Sequence, residues 1–354
     1  MRPLGVTGAA AIVALVLVVP ARDAGAAAAA CDGHRVSIVG TAGDDALTGT
    51  DGPDVIAGLA GDDVVEALAG DDVVCGGLGA DRVDAGAGDD RASGETGGDT
   101  LFGGDGDDVL DAGGAGGGAE DLVGGAGDDV LLVRGRPARV DPGPGLDDVR
   151  GLDGAGLDYS RSTTPVQVDL VAGTASGQGD DVLAGSPDQV VGTRFDDRLI
   201  ADDSGVSLLG GPGDDTVVGG AGADVVLPGL GDDRVDAGEG IDAVVFEPFV
   251  AGVSVNLGEH RATGQGRDRL TGFEQVIGTE RTDVIVTTDG PDLVSSRAGA
   301  DRIWTLAGDD EVYCGGGCAV RAGDGDDTVF ADNGRSRCVG GPGTDTVECG
   351  RTIE

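Results

Sequence analysis

The chain contains no lysine, and its 354 residues include only two histidines, one methionine, one tryptophan, two tyrosines and six phenylalanines. With so few large side chains, a thick layered core is excluded. The formal charge of −42 is opposed only by arginine, so there is no basic patch for a polyanion, and nucleic acid is excluded as a partner. His34 and His260 stand alone. The sequence also lacks a G-x-S-x-G elbow, an H-E-x-x-H helix and a G-x-G-x-x-G loop, which removes the common hydrolase, metalloprotease and dinucleotide signatures. "DGDD" at Asp105 and at Asp324 is not followed by the Gly and Glu that an EF-hand needs.

One apolar run does occur, "AAAIVALVLVV" from Ala9 to Val19. It follows Arg2 and precedes small residues in A-x-A spacing, the pattern of a secretory leader over residues 1–30. The run falls short of the roughly 20 apolar residues of a membrane helix, and no later segment approaches that length. The chain therefore reads as exported, with no transmembrane segment. Six cysteines suit an oxidising compartment. Arg22 and Asp23 part Cys31 from the apolar run, against lipid attachment. Proximity in sequence pairs Cys31 with Cys75, while Cys314, Cys318, Cys338 and Cys349 crowd the other end as a stapled cap. "CGGGC" at Cys314–Cys318 has no second cysteine pair or histidine to complete a metal site.

Glycine and aspartate are abundant, and they are periodic. From Gly40 to Asp111 eight nonamers run without a gap in the form G-x-x-G-x-D-x-U-x, where U is aliphatic. Position 4 is Gly in all eight. Position 6 is always Asp: Asp45, Asp54, Asp63, Asp72, Asp81, Asp90, Asp99 and Asp108. The phrase returns with Asp129 and Asp147, then with Asp215, Asp224, Asp233 and Asp242, and finally with Asp292, Asp301, Asp310, Asp327 and Asp345. The organisation read from this is a leader (1–30), a first repeat block (31–150), a spacer (151–209), a second block (210–245), a second spacer (246–286) and a third block with the cysteine cap (287–354). The spacers repeat each other: "VQVDLVAGTASGQG" from Val166 matches "VSVNLGEHRATGQG" from Val253. Both open with strand alternation, and neither shows a cluster of chemistry.

Nine residues accommodate a turn of about six and a strand of about three, of which only position 8 points inward. Two nonamers close one coil, and successive coils stack as parallel strands roughly 4.8 Å apart. The fold class expected is all-β, a right-handed parallel β-roll. Stacking brings each position-6 Asp beside the Asp eighteen residues away, giving eleven such pairs. Carboxylates about 5 Å apart repel by roughly 1 kcal/mol in water and about 3 kcal/mol at an effective dielectric near 20. A cation is therefore required, and hard oxygen ligands in flexible geometry suit Ca²⁺. On the order of ten ions are expected, each site in the weak range of about 10⁻⁴ to 10⁻³ M, with binding and folding as one event. The position-5 acids Asp44, Asp62, Asp71, Asp89 and Asp107 read as solvated charge.

"GGDGDDVLD" from Gly103, "GGAGDDVLL" from Gly124 and "GGAGADVVL" from Gly219 resemble the GGxGxDxUx nonapeptide of the repeats-in-toxin, or haemolysin-type, calcium-binding family. The resemblance covers most of Gly40 to Cys349. It implies Ca²⁺ held by the position-6 aspartates and by turn carbonyls near Gly61, Gly79, Gly104, Gly106, Gly125, Gly127, Gly211, Gly213, Gly220 and Gly222. Members of that family often leave the cell through a C-terminal signal and carry toxin, protease or lipase domains. This chain has an N-terminal leader and leaves no room for such a domain, so those activities do not carry over.

The expected function is a secreted, non-enzymatic calcium-binding protein with a structural or adhesive task, its partners being calcium and a cell-surface polysaccharide or protein. The rival is a Ca²⁺-dependent polysaccharide-active enzyme. It is disfavoured because Tyr159, Trp304 and Tyr313 are scattered rather than gathered into a sugar platform. An ice-binding face is weaker still, because positions 7 and 9 of the first block offer only Thr48 and Thr100.

Overall fold

A computed structural model describes residues 30–115, 118–134, 138–331 and 335–349. Nearly all of the leader, residues 1–29, lies outside the described residues. Those described form strands and turns with no helix, so none contains a helix able to cross a membrane.

The chain winds as a parallel β-solenoid between two sheets. Sheet I has sixteen strands, from Ala46–Thr48 to Thr346–Cys349. Sheet II runs alongside it from Ile38–Val39 to Arg337–Val339. In sheet I Ala46 pairs with Val64 and Val64 with Arg82; in sheet II Val55 pairs with Val73 and Val73 with Arg91. This is the eighteen-residue coil that the repeat demands. The loop after Ala112 lengthens one coil without breaking register, because Thr100 pairs with Asp121 and Val109 with Val130.

The interior is a single file of position-8 side chains. Val65, Val83, Leu101 and Leu122 of sheet I face Ile56, Val74, Leu110 and Leu131 of sheet II, all 0–1% exposed. Alanines at position 1, such as Ala67, Ala85 and Ala237, fill the corners. In coils stacked on a preceding turn, position 4 favours Gly for a steric reason. A Cβ on Gly79 (φ +131°) would collide with the carbonyl of Gly61 one coil earlier, and the positive φ itself disfavours other residues.

Each spacer adds an antiparallel excursion to sheet II. Gln167–Asp169, Thr174–Ser176 and Asp180–Ala184 lie side by side between Asp148–Arg150 and Arg198–Ile200. The second spacer repeats this with Ser254–Asn256, Arg261–Thr263 and Arg267–Thr271. The buried aromatic rings are Tyr159, Phe246 and Phe273, all within the spacers.

At the N-terminal end the hairpin of Ala30–Cys31 and His34–Arg35 is joined to sheet II by a Cys31–Cys75 disulfide, the pairing expected from sequence. Cys314 joins Cys318, and Cys338 joins Cys349.

Candidate metal centre

The position-6 acids form columns linked by one repeated hydrogen bond: the backbone N–H of each donates to the carboxylate Oδ1 of the acid one coil later. Asp45, Asp63, Asp81 and Asp99 are joined in this way, then Glu120 through its Oε2. A second column runs through Asp54, Asp72, Asp90, Asp108, Asp129, Asp147 and Asp181. A third holds Asp197, Asp215, Asp233 and Asp268, and a fourth Asp224, Asp242 and Glu274. Asp283 and Asp301 make a fifth, and Asp292, Asp310, Asp327 and Asp345 a sixth. These bonds span 2.7–3.3 Å. All eleven pairs eighteen apart are brought together.

The columns also contain acids outside the repeat motif as read from the sequence: Glu120, Asp181, Asp197, Asp268, Glu274 and Asp283. Four of these are aspartates of the spacers, so the spacers continue the chemistry rather than interrupt it. A signal was present. "GTRFDD" from Gly192 and "GTERTD" from Gly278 keep Gly-Thr at positions 1 and 2 and Asp at position 6, as do Gly40 and Gly49, but position 4 is not Gly.

The second carboxylate oxygen is the informative atom. In Asp63, Asp72, Asp81, Asp90, Asp99, Asp108, Asp129, Asp147, Asp215, Asp233, Asp242, Asp310 and Asp327, Oδ2 is buried and has no hydrogen-bond partner, although these side chains are only 0–2% exposed. Native proteins rarely leave an ionisable oxygen in that condition. Its surroundings are oxygen-rich: a Cβ on Gly58 would meet both Asp63 Oδ2 and the carbonyl oxygen of Gly76 in the next coil, and Gly103 stands in the same relation to Asp108 and Gly124. Carboxylate and carbonyl oxygens converging on a glycine-lined gap form a hard donor set that fits Ca²⁺. Burial, reinforced by neighbouring carboxylates, pushes Asp90, Asp99 and Asp108 up to about 7 and Asp147 to about 8.

The position-5 acids do more than solvate the surface. Asp44 Oδ1 accepts the N–H of Asp62, Asp62 Oδ1 that of Ala80, and Asp89 Oδ1 that of Asp107. This exposed ladder points in the opposite direction to the buried one. At the far end, Cys314 and Cys318 are bonded to each other beside Asp301, so their sulfurs are not free thiolates.

None of the curated proteins matches this chain. The family model for the RTX calcium-binding nonapeptide repeat (4 copies) matches residues 39–132, 191–244, 277–312 and 320–347 in overlapping segments, which is more than half of the sequence. The chain belongs to the family of RTX calcium-binding repeat proteins.

Proposed function

We propose that this protein is an exported scaffold whose solenoid assembles when Ca²⁺ enters the aspartate columns, and that it serves a structural or adhesive task outside the cell. The supporting observation is the recurrence of a buried, unpartnered Oδ2 from coil to coil. Asp63, Asp72, Asp81, Asp90, Asp99, Asp108, Asp129, Asp147, Asp215, Asp233, Asp242, Asp310 and Asp327 would hold the ions, with turn carbonyls completing each set. Bound calcium supplies positive charge where the fold stacks negative charge, and without it the columns repel. Export is supported by the leader-like first thirty residues and by a calcium requirement that millimolar extracellular levels meet. Circular dichroism of the mature chain tests the reading: β signal should be small in EGTA and rise cooperatively toward about 5 to 10 mM Ca²⁺, the range of weak sites. Equal β signal in both conditions would sink the proposal.

A further inference from the structure

The first acid of each column differs from those that follow. Six acids begin a column: Asp45, Asp54, Asp197, Asp224, Asp283 and Asp292. Asp292 counts among them because the N–H of Glu274 turns to the Asp242 carbonyl instead of extending the column. In all six, Oδ2 accepts the backbone N–H of position 2 of its own turn. The donors are Thr41, Thr50, Thr193, Gly220, Thr279 and Thr288. In four of the five threonine turns the hydroxyl adds a second bond to the same carboxylate. None of these six position-2 residues has positive φ.

In four of the six columns the next acid is built the other way. Position 2 is Leu59 (φ 84°) before Asp63, Leu68 (φ 82°) before Asp72, Gly211 (φ 105°) before Asp215 and Gly238 (φ 98°) before Asp242. In each of these turns Oδ2 is unpartnered. Where position 2 has positive φ, its N–H is spent elsewhere, as when Gly125 donates to the Pro142 carbonyl and Gly323 to that of Gly340. The orientation of the position-2 peptide thus accompanies the state of the carboxylate in most turns; two depart from it, Asp310, whose Oδ2 is unpartnered although Leu306 lacks positive φ, and Asp301, whose Oδ2 accepts the Ser296 hydroxyl although Arg297 has φ 57°. Threonine disfavours positive φ and supplies a hydroxyl, whereas glycine permits the flip.

We propose that each column opens on a calcium-free turn, in which the position-2 N–H, aided by threonine, occupies the carboxylate face that calcium takes in the turns after it. This rests on the calcium reading above and adds to it which turns lack the ion. Each stretch of calcium-binding coils then starts from a turn that is hydrogen-bonded without metal, and a threonine at position 2 marks five of the six in the sequence, Gly220 being the sixth.

The test is the number of calcium ions bound at saturation by the full mature chain, measured by equilibrium dialysis with metal analysis. The triple variant Thr50→Gly, Thr193→Gly and Thr288→Gly should bind three more ions per chain than wild type, and Gly211→Thr one fewer, both retaining β signal in calcium. An unchanged count in either folded variant overturns the proposal. Should the triple variant fail to fold, the count for Gly211→Thr decides alone. A wild-type chain that binds no calcium is a separate result, which defeats the underlying reading.

Discussion

Leu59 and Leu68 occupy position 2 of their turns with φ near +80°, a conformation that most turns of this kind give to glycine, as at Gly77, Gly86 and Gly104. A left-handed backbone costs an L-residue about 1–2 kcal/mol. Both side chains are 43% exposed, so little packing is lost when they are removed. Glycine gives back part of the gain through its freer unfolded chain, about 0.5–1 kcal/mol per site. The double variant Leu59→Gly, Leu68→Gly should therefore gain about 1 kcal/mol, seen as a higher urea midpoint in saturating calcium. A lower midpoint would show that the leucines pack against something that the isolated solenoid does not reveal. Position 8 lies at the other extreme: Leu208 is 0% exposed, and Leu208→Ala should cost about 2–5 kcal/mol in the same measurement.

The columns act as elements rather than as separate residues, and their titration follows from their burial. In the calcium-free fold Asp90, Asp99, Asp108, Asp129 and Asp215 are raised to about 7, chiefly by desolvation, whereas in the unfolded chain they titrate near about 4. The folded state therefore binds more protons between these values, and its stability increases as pH falls through that window. In EGTA, β signal should rise on acidification from about pH 8 to about pH 5, with protons doing part of what calcium does. In limiting calcium the opposite holds for binding, because protons compete for the same oxygens and affinity drops below about pH 7. A calcium-free chain whose dichroism is flat across this range would contradict the columns as described. The columns were largely legible beforehand because a strict nine-residue period turns sequence spacing into spatial stacking. Asp108 and Asp129 were harder to join, since the longer coil puts them 21 residues apart. Asp147 and Asp181 are 34 apart because the chain makes an antiparallel detour between them, and no local period records a detour.

At the scale of the molecule the two spacers break the equality of the two sheets. Between the coil of Ala138–Asp141 and that of Ser207–Pro212, sheet I interposes two strands, Gly156–Asp158 and Gln189–Val191. Across the same coils sheet II interposes four: the three excursion strands and Arg198–Ile200. Two extra strands would lengthen one face by about 10 Å, while packed sheets stand about 10 Å apart, so a wedge on the order of 50° toward sheet II is the expected consequence. The buried aromatic rings lie in the spacers, Tyr159 in the first and Phe246 and Phe273 in the second, and their size suits the extra space that such a wedge would open. Both excursions enter the same sheet, so their bends are expected to add, with sheet II on the convex side. Excising residues 162–178 removes one excursion while leaving Asp181 at the sixth position of a turn. In calcium this shorter chain should be straighter, and small-angle scattering should give it a longest dimension no smaller than that of the parent despite the lost residues. A shortening in proportion to the deletion would mean that the excursion adds length and not curvature.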